Sequence, residues 1–158
     1  MKIIFKIFYL LFLCQLAMSC SEKKTTKDIA SKQQMIETDI AFSDFSKKHG
    51  MKKAFIEYMD DDGVLLRPNH LPIIGAYAID FLTQVNDSAY TLTWKPSAGT
   101  TSSSSDLGYT YGIYTLQLPD TSLHGTYVTI WRKQPDGKWK FVLDTGNEGV
   151  QNTAQSTD

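Results

Sequence analysis

Two aspartates and two tyrosines are the side chains whose types and positions could support chemistry in this chain. Asp144 ends an apolar run, and Asp106 precedes a run rich in Tyr and Thr. A carboxyl group whose pKa is raised by burial can act as a general acid or base, with Tyr114 or Tyr58 as a hydrogen-bond donor. Asp144 could equally be a strand-end residue whose carboxylate bonds a loop amide.

An arginine offers a second candidate feature, because Arg67 follows two leucines and precedes a proline. Its guanidinium could counter the negative charge of a ligand, or it could pair with one of the carboxylates in the acidic run 60–62. This acidic run lacks the alternating spacing of a calcium loop. With Gly63 it is interpreted as a turn that ends a helix.

Several kinds of catalytic site are not supported by the sequence. His49, His70 and His124 are not paired with Asp or Glu at the spacing of metal ligands, so no metal site is expected. No serine lies in a nucleophile-elbow motif, and no glycine-rich phosphate loop follows a strand. The two cysteines, Cys14 and Cys20, both lie in an N-terminal segment outside the predicted folded domain, so we expect no disulfide, no metal–thiolate site and no cysteine nucleophile. No cofactor is expected.

Helical spacing in the first half and strand-like alternation in the second predict an α+β domain over residues 33–149. Apolar residues recur at helical spacing from Met35 to Phe45, and Gly50 is a suitable helix stop. Two further helices are predicted over Met51–Met59 and Ala76–Val85. The predicted strands are Val64–Arg67, Tyr90–Lys95, Leu107–Leu118, Gly125–Lys133 and Lys138–Asp144, and the serine-rich run 99–105 is predicted to be a mobile loop between two of them.

The first 20 residues have the pattern of a targeting signal rather than of a folded element. Lys2 and Lys6 precede an apolar stretch too short to span a membrane. The sequence LAMSC at 16–20 resembles the lipobox of bacterial lipoproteins, in which the cysteine is lipidated and the preceding peptide is removed. We therefore expect a signal peptide over residues 1–19, lipidated Cys20, a polar flexible tether over 20–32 and a disordered tail over 150–158.

Charge and anchoring together limit the possible partners. The formal net charge of the chain is −1, and cleavage before Cys20 would remove two lysines and no acids. Nothing in this balance favours binding to nucleic acid or to an anionic membrane surface. The expected location is the bacterial cell envelope, held by the lipid anchor, and Ser21 in place of an aspartate favours the outer membrane over the inner one by analogy with well-studied bacteria.

Two longer segments carry a family resemblance. The chain resembles the SnoaL-like, nuclear transport factor 2-like superfamily. The resemblance rests on the order of elements and on two segments, FIEYMDDDGVLLRPNHLPIIG at 55–75 and GTYVTIWRKQPDGKWKFVLDTGN at 125–147. DLGYTYGIYTL at 106–116 with the following hairpin resembles a bacterial branch of unknown function. The resemblance implies a cone-shaped, curved antiparallel sheet with three helices packed on its concave face, enclosing a pocket for an apolar or aromatic molecule.

The same resemblance assigns side chains to the pocket. Period-two alternation puts Tyr127, Thr129 and Trp131 on one face of their strand, and the resemblance favours that face as the pocket side. It also places Asp144 inward with Val142, and Asp106, Thr110 and Tyr114 inward on the long strand before. Trp94, Trp131 and Trp139 fit packing roles better than ligand platforms. The candidate ligand-binding set is Tyr58, Arg67, Thr110, Tyr114, Tyr127, Thr129, Trp131 and Asp144.

The leading hypothesis is a lipid-anchored module that binds a small molecule in a partly aromatic pocket. The alternative is an enzyme that uses Asp144 or Asp106 as a general acid or base on a small apolar or aromatic substrate, in an isomerase-like or hydrolase-like reaction. By comparison with ketosteroid isomerase, Arg67 and Thr129 stand where that enzyme has its aspartates, so its mechanism is disfavoured. The resemblance also implies a homodimer through the convex sheet face, which would carry Tyr109, Tyr111 and Ile113.

Overall fold

The computed structural model describes residue 26 and residues 28–149. The predicted signal peptide over 1–19, the lipidation site Cys20 and the predicted tail over 150–158 lie outside this range. The helices are α1 (28–49), α2 (Met51–Tyr58) and α3 (Ala76–Gln84). The strands are β1 (Met59–Leu66), β2 (Ile73–Ile74), β3 (Thr91–Thr101), β4 (Leu107–Gln117), β5 (Ser122–Lys133) and β6 (Trp139–Glu148).

The six strands form one sheet in the order β2-β1-β6-β5-β4-β3. The pairs are antiparallel except for β1 and β6, which run parallel. The sheet is curved and the three helices pack against it, so the predicted α+β class is confirmed. The core lies between the helices and the sheet and is largely aromatic, with Phe42, Phe55, Trp131 and Phe141 all buried.

Helix α1 begins earlier than the predicted folded unit, since residues 28–32, assigned to the tether, are helical. It ends where expected, at Gly50, whose φ of 90° lies in the left-handed region that favours glycine. The apolar stripe is only partly buried, because Met35 and Phe42 face the sheet whereas Ile40 is 44% exposed. The buried face of α1 also carries polar side chains, which the apolar spacing does not reveal.

The acidic run 60–62 does not form the predicted turn. It lies within β1, and the register of β1 against β6 shifts between Met59 and Val64. The strand tolerates the charges because Asp61 and Asp62 remain exposed, while the buried Asp60 carboxylate accepts hydrogen bonds from Arg132.

Strand β5 alternates as the sequence predicts. Tyr127, Thr129 and Trp131 are buried on the concave side, whereas Val128 and Ile130 are half-buried on the other side. The assignment of Val142 to the concave side is wrong. The register of β5 against β6 shifts between Ile130 and Trp131, so that Phe141 takes the buried place and Val142 is the extra residue.

The convex face of the sheet exposes several apolar side chains, as predicted. Tyr109, Tyr111 and Ile113 are 43%, 47% and 40% exposed, and the rings of the two tyrosines lie 6.5 Å apart. The predicted loop begins later than expected, because β3 continues to Thr101 before the turn that leads to β4. Among the described residues, none of the helices has the length and apolar content that a membrane crossing requires.

Candidate functional site

A cavity of about 360 Å³ opens at one end of the concave face, between α2 and the strands. Most of its surface is contributed by aromatic and aliphatic side chains, with a few polar groups among them. Small-molecule sites typically have this composition. The lining residues are Met51, Phe55, Arg67, Pro68, Tyr90, Leu92, Trp94, Tyr114, Leu116, Tyr127, Asp144, Thr145, Gly146 and Glu148.

The aromatic wall of the cavity is continuous with the core. The Phe55 ring lies edge-on to Trp94 at 6.0 Å and to Phe141 at 5.7 Å, and Trp94 lies edge-on to Tyr127 at 6.3 Å. Edge-to-face packing of this kind fixes the orientation of each ring. The wall is therefore preformed.

Tyr114 owes its position to two glycines on neighbouring strands. It pairs directly with Gly125 on β5, and its ring covers the space that a side chain there would fill. A Cβ added at Gly125 would lie 2.3 Å from the Tyr114 ring, and one at Gly146 would lie 3.3 Å from it. Glycine at these sites lets the ring lie flat on the sheet and line the cavity.

An ion pair contributes two of the polar groups in the cavity wall. Arg67 Nη2 donates to Asp144 Oδ1 at 2.7 Å, and Arg67 Nη1 donates to the Asp144 carbonyl at 3.1 Å. The other carboxylate oxygen, Asp144 Oδ2, accepts from Thr129 Oγ1 at 2.9 Å. Asp144 is therefore an acid in the cavity wall, and Arg67 pairs with it rather than with the acidic run 60–62. The guanidinium also lies 5.5 Å from the centre of the Phe55 ring.

The sequence analysis missed a buried acid beneath the aromatic wall. Asp39 on α1 is fully buried and accepts hydrogen bonds from Tyr127 Oη and Trp94 Nε1, each at 2.7 Å. Two residues of the cavity are thus held by one carboxylate. A signal was present, because Asp39 lies four residues after Met35 and three before Phe42, on the buried stripe of the helix.

Serines on α1 secure the helix to the free edge of the sheet. Ser43 Oγ accepts from the backbone N–H of Trp94 at 2.8 Å, and Ser46 Oγ donates to the Leu92 carbonyl at 2.7 Å. These bonds satisfy backbone groups of β3 that would otherwise lack a partner at the sheet edge. They also fix the height of Trp94 and Leu92, which line the cavity.

The eight predicted ligand-binding residues fall into three groups. Arg67, Tyr114, Tyr127 and Asp144 line the cavity. Tyr58 does not line it but stacks on Phe42, with ring centres 4.8 Å apart. The remaining three form a buried layer away from the cavity surface, in which Thr129 bonds Asp144 and Trp131 Nε1 donates to Thr110 Oγ1 at 2.8 Å; they are Thr110, Thr129 and Trp131.

The prediction that Asp106 faces inward is wrong. It lies in the turn before β4, is exposed, and accepts hydrogen bonds from the hydroxyl groups of Ser102 and Ser104. These bonds lower its pKa. An acid in this position has no access to the cavity. Of the two aspartates predicted as a general acid or base, Asp144 therefore remains. In the part of the chain that the structure describes, no three His, Cys, Asp or Glu side chains are grouped closely enough to hold a metal ion.

The buried Asp39 predicts a specific pH dependence of stability. Burial raises the pKa of the Asp39 carboxyl group, so the folded chain binds a proton at this group more tightly than the unfolded chain does. The stability from protonated Asp39 is fully present below about pH 4 and is lost as the pH rises through its folded-state pKa. The stability of Asp39→Asn relative to the original chain should therefore increase between about pH 4 and pH 7 in urea denaturation. A constant difference would contradict the assignment.

Comparison with solved structures identifies the fold. A ketosteroid isomerase-like protein from Erwinia carotovora atroseptica SCRI1043 is similar with a TM-score of 0.59 at 16% identity, over 73% of this chain and 95% of that one. A nuclear transport factor 2-like protein from Novosphingobium aromaticivorans is similar with a TM-score of 0.59 at 13% identity, over 85% and 90% of the two chains. The chain has the nuclear transport factor 2-like fold.

A third protein with the nuclear transport factor 2-like fold, from Salmonella enterica serovar Typhimurium LT2, has a TM-score of 0.57 at 13% identity and covers 80% of this chain and 96% of that one. No protein-family model and no curated protein matches the sequence. The nuclear transport factor 2-like fold hosts many unrelated functions, so the fold alone does not assign one.

Proposed function

We propose that this chain binds a small, mainly apolar or aromatic molecule in the cavity. The observation that carries the proposal is a preformed cavity of about 360 Å³ whose wall includes Phe55, Trp94 and Tyr127. Rings held by their neighbours in fixed orientations can receive an apolar ligand at little entropic cost. The similar structures support a pocket-bearing domain through their common fold.

Binding accounts for the polar groups better than catalysis does. A general acid or base needs a free carboxyl oxygen directed at the reacting atom. Both oxygens of Asp144 accept hydrogen bonds from the protein, one from Arg67 and one from Thr129. Proton transfer by Asp144 would first require the loss of an ion pair that the fold has already formed, so we favour a binding role.

Thermal shifts with small aromatic compounds test this proposal. Toluene, indole and naphthalene should raise the melting temperature of the purified chain in a concentration-dependent way, because they bind the folded state only. Leu116→Trp should abolish the shift, since Leu116 lines the cavity and an indole would fill it. Tyr77→Trp, which adds an indole at a side chain 79% exposed on α3, is the matched control. Equal shifts in both variants would contradict binding in the cavity.

We further propose that Cys20 anchors the chain to a membrane of the bacterial cell envelope, with the outer membrane favoured. The support is the sequence LAMSC at 16–20 and the apolar stretch before it. Cys20→Ala should move the chain from the membrane fraction to the soluble fraction after cell breakage, because lipidation requires the thiol. Its cleavage should also fail, since processing follows lipidation.

The control for this prediction is Cys14→Ala, which leaves the lipobox cysteine in place. The control should still fractionate with membranes and yield a mature N-terminus at residue 20 by mass spectrometry. A parent chain that begins at any other residue, or that carries no acyl mass, would refute the anchor.

We also propose a homodimer through the convex face. The exposed side chains Tyr109, Tyr111 and Ile113 lie side by side on β4 and form an apolar surface of the kind that marks interfaces. The purified chain should have twice the monomer mass by light scattering, and Tyr111→Lys should reduce it to one monomer mass. A monomer at high protein concentration would refute the proposal.

A further inference from the structure

The described lining of the cavity includes one cationic side chain, and its charge is already compensated. Among the described residues that line the cavity, Arg67 is the only basic side chain. Its Nη1 donates to the carbonyl groups of Leu66 and Asp144, and its Nη2 donates to the Asp144 carboxylate. A guanidinium held in this way offers little attraction to an anionic ligand, because the carboxylate of Asp144 would have to be displaced first.

The mouth of the cavity carries uncompensated negative charge. Glu148 lines the cavity, is exposed, and has no ion-pair partner among the described residues. Glu148 also acts on the neighbouring Tyr114, because burial and then the charge of this carboxylate raise the pKa of the Tyr114 hydroxyl. The lining thus carries one positive charge, on Arg67, and two negative charges, on Asp144 and Glu148. The net charge of the lining is therefore negative.

Aromatic rings form a large part of the cavity wall. The cavity is lined by the rings of Phe55, Tyr90, Trp94, Tyr114 and Tyr127. The face of an aromatic ring attracts cations through its quadrupole, most strongly where water is excluded, and several rings with a nearby carboxylate are a common arrangement for quaternary ammonium groups. The aromatic rings and the Glu148 carboxylate thus favour the same sign of ligand charge.

We propose that the cavity selects an organic cation, an ammonium or quaternary ammonium group carried on an apolar or aromatic body. This inference rests on the proposed binding function and names the ligand class of the same site. The apolar body would contact the wall formed by Leu92 and Leu116, and the cationic group would lie near Tyr114 and Glu148. A carboxylate ligand of the same shape would be repelled by Glu148.

Three probes of nearly equal size test the selection. Benzyltrimethylammonium carries the cation, neopentylbenzene is its neutral isostere, and phenylacetate carries the opposite charge. Dissociation constants are measured on the purified chain by titration of tryptophan fluorescence. The cation should bind about 10-fold more tightly than the neutral isostere, and phenylacetate more weakly than either.

Two variants, each of which removes one negative charge, test whether the Glu148 carboxylate itself attracts the cation or whether any loss of negative charge weakens binding. Glu148→Gln should weaken binding of benzyltrimethylammonium about 5-fold and leave binding of neopentylbenzene unchanged, because only the charged probe senses the carboxylate. Asp80→Asn is the matched control, since it removes the same charge at an exposed site on α3 that does not line the cavity. It should leave all three dissociation constants unchanged.

The outcomes distinguish the inference from the proposed function. If neopentylbenzene or phenylacetate binds as tightly as the cation, or if Glu148→Gln leaves the ratio unchanged, the selection is overturned while binding of apolar molecules stands. If none of the three probes binds, both the inference and the proposed function fail.

Discussion

Replacing Phe42 with alanine should lower the free energy of unfolding by about 3–5 kcal/mol. Phe42 is 1% exposed, and its ring contacts the rings of Phe55, Tyr58, Trp94, Trp131 and Phe141 at centre distances between 4.5 and 6.1 Å. Removing this ring leaves a void at the centre of the aromatic cluster, and the surrounding side chains can fill it only in part. Urea denaturation at neutral pH measures the loss.

Two variants control this measurement. Phe42→Leu keeps most of the volume and should cost clearly less than Phe42→Ala, whereas Tyr77→Ala removes an exposed ring and should change stability by about 0.5 kcal/mol or less. A loss below about 1 kcal/mol for Phe42→Ala would contradict the central position assigned to this ring. The substitution should also weaken ligand binding, because Phe55 and Trp94 line the cavity and their rings pack against Phe42.

Replacing Asp39 with alanine should lower the free energy of unfolding by about 3 kcal/mol, because it leaves one buried and one half-buried donor without their acceptor. Tyr127 Oη and Trp94 Nε1 both donate to this carboxylate. Asp39→Asn retains one carbonyl acceptor and an amide that can donate to the tyrosine oxygen, so its cost should be below about 1 kcal/mol at neutral pH. Chemical denaturation of the two variants side by side measures the difference.

The comparison between the two substitutions decides the role of Asp39. Equal losses for alanine and asparagine would mean that the carboxylate does not hold the two rings. The expected large difference would assign Asp39 a positioning role beneath the cavity. In that case, Asp39→Ala should also weaken binding of toluene by the purified chain, and Asp39→Asn should leave it nearly unchanged.

The parts of the fold that depend on local periodicity were predictable from the sequence. Alternation along β5 placed Tyr127, Thr129 and Trp131 on one side of the strand, and period two requires no knowledge of the neighbouring strands. The end of α1 at Gly50 was predictable for the same reason, since a helix stop is local chemistry.

The parts that depend on pairing between distant segments were not predictable. Arg67 reaches Asp144 because β1 and β6 run parallel with Leu65 opposite Asp144, a pairing that neither segment encodes by itself. The acidic run 60–62 has the local sequence of a turn, but it lies within β1, between Met59 and Val64, which both pair with β6. Arg132, from a distant strand, also bonds Asp60 there. Strand bulges are likewise a property of two strands together.

The sequence analysis missed Asp39 because of its charge and not because of its position in the helical repeat. Its position on α1 predicts burial, but a charged residue is usually assigned to the solvent face. The partners that make burial tolerable, Trp94 and Tyr127, lie on strands 55 and 88 residues further along the chain. A search for charged residues on otherwise buried helical stripes would have found it.

An NMR titration of the tryptophan indole N–H groups with toluene tests the cavity most directly. Trp94 lines the cavity, whereas Trp139 is buried outside its lining and provides an internal control. Binding in the cavity should shift the indole resonance of Trp94 and the amide resonance of Gly146 until saturation, and leave the indole resonance of Trp139 in place. The absence of a saturable shift at Trp94, or equal shifts at both tryptophans, would contradict the proposed binding function.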